Sequence, residues 1–384
     1  MRPQLYSTKN NTWTDIVKAY SEEYTEAQRL ELGLRGCFVG SLDCLSCIVT
    51  EERNGEYDLE LSVAIDNPYI NDIVPGNLLY VAVKPLEAAN SAGDRWQFFK
   101  IYQIQRGFSQ ITAYAHHISY ELRFKFVNTK WDAVTGGLPM ALWYIWNNTT
   151  MANEFSYLKT GDQERSENFK FVGCQSIRKY LGGMEGSIVD CFGGEYCWNN
   201  LQVRWYESRG SDKGAVIYHG RNMREFDYQE SDENRYEGLV GFVLFEDGTY
   251  VSATYPTTEL SLPNSRFKTI DYTEDYLESY ESSGIAPTPS ALQSRLQTYY
   301  NTYRANRTTN NRSINAQYYL DPETYTGTEY ISLCDTVTVV FPEYKTKEKM
   351  KVVKVVYDVL AERNLEIQLN SHRQTLADTI AASL

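Results

Sequence analysis

Residues 333–371, LCDTVTVVFPEYKTKEKMKVVKVVYDVLAERNLEIQLNS, decide how the whole chain is read. Thr336–Phe341 and Met350–Tyr357 are rich in β-branched residues, and Leu365–Leu369 alternates apolar with polar ones. That pattern predicts three consecutive strands. The Lys/Thr/Glu segment 345–349 supplies the first turn and residues 358–364 the second. A similar pattern lies near the front of the chain. Pro75-Gly76-Asn77 leads into Leu78–Val83, a polar loop follows, then FKIYQI (99–104), a turn, and Ile111–Ala115. The middle strands match best, FKIYQI against MKVVKV (350–355). The chain is therefore expected to carry one small β-module twice.

A chain of 384 residues is long enough for two to four domains with ordinary cores. Its net charge of −13 argues against a nucleic-acid binder, which needs a basic surface to neutralise phosphates. An acidic wall past which DNA slides without sticking is compatible with it. The seven cysteines are an odd set, and Cys44-Leu45-Ser46-Cys47 is a lone Cys-x-x-Cys with no second pair at zinc-ribbon distance. Cys44 and Cys47 read as small apolar residues of a half-buried strand, so no metal is expected. With no disulfide framework in view, assembly in a reducing cytoplasm is the expectation. The start, MRPQLYSTKN, has no secretory pattern, and the most apolar window, Leu138–Trp146, falls far short of the roughly 20 residues a membrane helix needs. A soluble chain is expected.

Three regions follow from the patterning. Residues 1–125 are short-stranded: a helical turn over Thr25–Leu32, then a hairpin from Cys47 to Val63 around Asn54-Gly55, whose residues suit a tight turn. With 78–83, 99–104 and 111–115 this makes a small barrel or sandwich. Residues 126–235 read as an α+β accessory domain. It has a helix over Pro139–Asn147, a short one over Gln175–Leu181, and strands Gly194–Cys197, Leu201–Glu207 and Ala215–Tyr218, with the charged run 228–237 as a boundary loop. Residues 236–384 hold a hairpin, Leu239–Phe245 with Tyr250–Ala253, and a helical insertion around 271–309. Within that insertion the acidic, Tyr-rich run Asp271–Glu281 precedes a helix capped by Thr288. A strand over Ser313–Leu320 and the opening stretch complete a second module.

Residues that could carry chemistry are few. There is no zinc-protease or nucleophile-elbow motif. The histidines are His116, His117, His219 and His372; His116 and His117 adjoin in a strand and so point to opposite faces, unable to share one metal. Glu51-Glu52 reads as solvated residues beside the hairpin turn. Gly182-Gly183, Gly186 and Gly193-Gly194 read as turn glycines, because no strand–loop–helix phosphate cradle surrounds them. Trp143, Tyr144 and Trp146 suit a core or subunit contact at helical spacing, with a sugar-stacking platform as the alternative. No catalytic residue, cofactor or metal ligand is expected.

Four segments resemble a known family: VTEERNGEYDLEL (49–61), FFKIYQIQ with ITAYAHHISYEL (98–122), 181–226, and LCDTVTVVF through KVVKVVYDVLAERNLEIQL (333–369). The chain is similar to the tail-tip or baseplate hub proteins of long-tailed phages and prophages of Gram-positive bacteria. That family is also labelled prophage endopeptidase tail, or tail-associated lysin where a lytic domain follows. In the third segment Cys197-Trp198-Asn199 and His219 depart from the family's usual residues, within a structural hairpin.

The resemblance implies a mainly β fold with α+β insertions: two tube-like β-barrel domains plus an accessory domain, assembled as a homotrimer at the tail tip of a virion. It implies docking on the distal tail protein, with a channel that opens to pass the tape measure protein and DNA without specific DNA binding. Contact with the host surface would be indirect. A tail-fibre or receptor-binding protein at Ala377–Leu384 is left open. Lytic domains in the family follow this region, and the chain ends at Leu384, so no enzyme is expected. A cell-wall peptidase and a carbohydrate-binding adhesin are the alternatives.

Overall fold

The computed structural model describes residues 2–21, 34, 36–85, 92–134, 137–149, 153–160, 169–184, 186–219, 221–231, 236–257, 266–302, 311–318, 330–344 and 346–370. The expected turn Thr25–Leu32, His372 and the segment Ala377–Leu384 lie outside these residues. The chain divides into two compact units. The larger holds residues 1–227, 315–370 and 374–384; the smaller holds 228–314 and 371–373.

The larger unit is built on a 13-stranded sheet. Along it, Ser46–Glu52, Tyr57–Ala64, Gln110–His117, Trp96–Arg106, Leu78–Ala82 and Gln4–Tyr6 follow as neighbours. The same order recurs as Met223–Ser231, Asn311–Tyr318, Arg363–Asn370, Thr346–Asp358, Thr336–Phe341 and Asp212–Tyr218. Within each set, strands with the same place in the sheet also have the same place along the chain. The expected repeat is therefore present as topology.

It extends to individual hydrogen bonds. In the first set Ile101 faces Ala115 and Gln103 faces Tyr114, which leaves Tyr102 as an extra, bulged residue. In the second, Val352 faces Leu369 and Lys354 faces Gln368, which leaves Val353 in the same position. Gly76 N–H donates to the Ile101 carbonyl (2.8 Å) and Ile101 N–H to the Asn77 carbonyl (2.9 Å). Cys334 N–H donates to Val352 and Val352 N–H to Asp335, both at 2.9 Å. Gly76 (φ +94°) and Cys334 (φ +71°) share the left-handed backbone that this arrangement demands.

The sets differ at one edge. Gln4–Tyr6 runs antiparallel to Leu78–Ala82, whereas Asp212–Tyr218 runs parallel to Thr336–Phe341. Four expectations are corrected here. No closed barrel forms among the described strands; both sets share one sheet. Asp212–Tyr218 does not continue the hairpin Glu195–Asn199/Gln202–Tyr206 but crosses to Thr336–Phe341. Residues 346–349, read as a turn, already belong to the strand Thr346–Asp358, and Pro342–Tyr344 makes the turn. The boundary loop 228–237 begins as strand, because Met223–Ser231 runs into it.

Alternation explains the burial. Leu59, Leu61 and Val63 are at most 2% exposed, as are Val337 and Val339. The helices expected over Pro139–Asn147 and Gln175–Leu181 are present, and a further short one, Ile188–Phe192, was not expected. The helix Gly137–Asn147 buries Leu138, Ala141, Leu142 and Ile145. The short helices Ile177–Leu181 and Ile188–Phe192 start on Ser176 and Ser187, whose hydroxyls accept from Lys179 and Asp190 N–H.

The smaller unit is a three-stranded sheet, with Gly238–Leu244 between antiparallel Tyr250–Tyr255 and parallel Phe267–Asp271. Its core is Leu239, Val243, Phe245, Tyr272, Leu292 and Leu296, with Tyr276 and Tyr280 packed against it. The acidic run folds as a helix, Thr273–Ser283, and Gly284 in the left-handed region ends it. Thr288 caps the helix Pro289–Thr302 as expected, its hydroxyl accepting from Ala291 N–H at 3.2 Å.

Candidate functional site

The two sets of strands meet within the larger unit. Ser46–Glu52 pairs with Lys354–Asp358 in antiparallel register from Ile48↔Asp358 to Glu52↔Lys354. Arg53 N–H donates to the Val353 carbonyl (2.8 Å) and Val359 N–H to the Cys47 carbonyl (3.0 Å), so the bonding continues past both ends of the register. Side-chain charges reinforce this seam from both strands.

Its charges are placed in pairs. Glu195, its side chain only 7% exposed, accepts from Lys351 Nζ (2.6 Å), from Arg209 N–H (2.5 Å) and from Arg53 (3.5 Å). Arg209 also donates to the Tyr196 carbonyl (2.5 Å) and to Glu51 (3.4 Å). Glu52 holds Lys354 at 2.8 Å. Glu51 and Glu52 read from sequence as solvated residues; in the structure Glu52 bonds across the seam to Lys354, and Glu51 is held beside it by Arg209. Buried charges persist only when partnered, and Glu195 is given several donors.

The hairpin tip beside the seam is gripped. The Asn54 side-chain amide donates to the Gly194 carbonyl (2.9 Å) and its oxygen accepts from Tyr196 N–H (2.8 Å). Arg178 donates to the Gly55 carbonyl (2.9 Å) while its guanidinium lies 4.1 Å from the Tyr120 ring centre and 4.9 Å from that of Trp198. On the strand Trp96–Arg106, buried Gln97 accepts from Asn200 N–H (2.8 Å), and the Asn200 side-chain oxygen accepts from Phe98 N–H (2.9 Å).

The residues singled out from sequence fall in separate places. His116 and His117 do face opposite ways. His116 stacks between Tyr102 (4.0 Å) and Tyr120 (4.3 Å) and meets Asp58 at 2.7 Å. His117 is fully buried; its Nδ1 accepts from Ser119 N–H (3.2 Å), so the proton sits on Nε2 and is donated to Gln97 (3.1 Å). Burial, with Arg178 adding to it, holds the His117 imidazole well below its usual range. His219 stacks on Phe341 (4.2 Å) and meets Glu343.

Cys47 is buried; Cys44 precedes its strand, and burial pushes its thiol up to about 12. Such thiols are poor thiolate donors. Among the described residues no three metal-ligating side chains converge. Trp146 donates to the Phe155 carbonyl (2.9 Å) and packs on Tyr157, while Trp143 is half exposed. Trp143 is the exposed member of that cluster, and Tyr144 and Trp146 are half-buried. Gly193 and Gly194 are turn glycines with positive φ, and a side chain at Gly194 would strike Trp205. Beneath the seam lies a cavity of about 60 Å³ bounded by Tyr57, Trp198, Arg209 and Tyr357, room for a water or two rather than a substrate.

The seam itself was missed in the sequence. The signal was present in the two acidic residues before Asn54-Gly55 and the lysines spaced along 347–354.

No protein-family model matches the chain, and no curated protein is similar to it in sequence. Solved structures are similar in shape. Prophage tail protein gp18 from Listeria monocytogenes EGD-e superposes with a TM-score of 0.60 at 14% identity, over 99% of this chain and 98% of that one. The chain has the fold of phage tail proteins. A 43 kDa tail protein of prophage MuSo2 from Shewanella oneidensis (TM-score 0.55) and a tail protein from Neisseria meningitidis MC58 (0.51) share this tail fold at 10% identity. Each covers 88% of this chain and 96% of its own. Conserved shape at such low identity fits a fold held by strand order and register, the features the two halves also share.

Proposed function

We propose that this chain is the structural hub of a long-tailed phage or prophage tail tip. Three copies, each contributing two like β-modules, present six near-equivalent modules, which lets a threefold assembly sit on the sixfold ring of a distal tail protein. On this reading the modules line a channel that stays closed until infection and then passes the tape measure protein and DNA. The acidic balance of the chain suits such a wall, since it repels a polyanion. The observation that carries the reading is the duplicated strand order with a bulge at the same place in each half, in a chain of phage-tail fold.

The test is the mass of the purified chain by light scattering, alone and with the distal tail ring, together with an image of the tail tip. A trimer in either setting is expected; one copy per assembled tail would overturn the proposal. Peptidoglycan zymography is expected to show no clearing, and clearing would transfer the reading to a cell-wall hydrolase.

A further inference from the structure

Thr346–Asp358 is occupied along the whole of one side. Thr336–Phe341 takes residues 346–351, and Ser46–Glu52 takes 354–358. The bonds made by Val353 and Val359 show that alternate residues from 353 to 359 turn their peptide groups toward this side. The equivalent strand, Trp96–Arg106, is occupied on the same side along 96–100 by Leu78–Ala82 and at Ile101 by Gly76 and Asn77. No described strand takes residues 102–106 there. Gly107 N–H turns the other way, to the Gln110 carbonyl (2.8 Å), which leaves the peptide groups of Ile104, Arg106 and Phe108 aimed outward. Phe108 is fully exposed and Tyr102 is 45% exposed, whereas Val359, in the position of Phe108, is buried.

The matching strand is also open. Met223–Ser231 holds the place that Ser46–Glu52 holds in the other set, pairs with Asn311–Tyr318, and ends the sheet among the described residues. In composition it carries Glu225, Asp227 and Glu230 against Arg224, while 102–108 carries Arg106 and no carboxylate. The seam within the chain has the same sense, lysine on the long strand and glutamate on its partner.

We infer that Tyr102–Phe108 is the docking edge for strand Met223–Ser231 of a second copy of this chain, repeating between copies the seam that one copy makes within itself. Proteins ordinarily blunt a bare edge with an exposed aromatic beside it, because it invites pairing. Here each copy offers one edge and one strand on different modules, so the contact is head-to-tail, the kind that forms a ring of three when the rotation between copies closes. The inference rests on the trimeric hub reading and names its interface.

Two variants test it. Ile104→Pro removes an outward N–H without touching the bonds to Gln110–His117, and Phe108→Asp places a charge in the contact. Wild type, both variants and a Val216→Asp control on an exposed position elsewhere are compared by light scattering and thermal melting. Hydrogen exchange of the amides of Ile104, Arg106 and Phe108 is followed in wild type. The expected result is trimeric wild type and control, monomeric variants that keep a single cooperative melt below that of the trimer, and slow exchange at those three amides in the trimer. Variants that remain trimeric overturn the interface and leave the hub reading standing. Wild type that is monomeric at every concentration and with the distal tail ring overturns both. Should a variant unfold, the exchange data decide: fast exchange at all three amides in the wild-type trimer overturns the interface.

Discussion

Gly210 sits at a backbone crossing that admits no side chain. Its φ is +75°, and a Cβ there would lie 2.2 Å from the Cys334 carbonyl oxygen, a backbone atom that cannot swing aside. Gly214 has nearly the same φ, +76°, but nothing within 4 Å. The pair separates strain from collision. Gly214→Ala should cost about 1 kcal/mol, the left-handed penalty alone, and Gly210→Ala about 3 kcal/mol or more, as read from urea midpoints. Nothing in the local sequence separates the two, because what distinguishes them is a neighbour remote along the chain. His117 gives a second residue-scale expectation. The unfolded chain takes up a proton on this imidazole near pH 6.5, while the folded one, with both ring nitrogens committed in a buried site, does not. The folded pKa is depressed, so the unfolded state binds more protons below that pH. Stability is complete above about pH 6.5 and falls by about 1.4 kcal/mol per pH unit as pH drops from there toward the folded pKa. Urea unfolding at pH 7, 6 and 5.5 measures that slope, and His117→Gln should flatten it.

Elements were legible wherever one periodicity spoke alone. The hairpin strand ending at Val63 and the β-branched run Thr336–Phe341 are both strands, and in each the alternate apolar residues are the buried ones. Val337 and Val339 are fully buried, so replacing both with Asp should cost several kcal/mol each and abolish the cooperative unfolding transition followed by circular dichroism. The cap on Pro289–Thr302 was equally plain in Thr288-Pro289, and Thr288→Ala should lower the stability of the smaller unit by about 1 kcal/mol in a denaturant titration. Within the expected helical insertion, Thr273–Ser283 stands in the sequence only as an acidic run, because its apolar face is made of tyrosines among acids. Tyr272, Tyr276 and Tyr280 recur at the helical interval, and Tyr280 stacks on Phe245 at 3.8 Å. Asp212–Tyr218 was assigned the right type and the wrong neighbour. Local pattern sets strand type, whereas pairing depends on which distant edge is open, and a parallel partner leaves no turn to betray it.

At the scale of the whole molecule, the repeat could be read from two six-residue segments, yet the seam joining its halves could not. Glu51, Glu52 and Lys354 are ordinary surface residues in any single-stretch reading, and Glu195 belongs to a hairpin far from either strand. Only the folded sheet brings them together. The two equivalent hairpin tips have diverged. One is the tight Asn54-Gly55 turn, tied down by Arg178, Gly194 and Tyr196. In the other, between Met223–Ser231 and Asn311–Tyr318, the chain departs to build the three-stranded unit with its own core. Joining residue 231 to residue 311 through a short Asn-Gly linker should leave the larger unit with its own cooperative melt. The same corner of the strand order is thus a fastener in one half and a point of insertion in the other, where a self-contained unit can be carried without altering the pairing of the sheet beneath it.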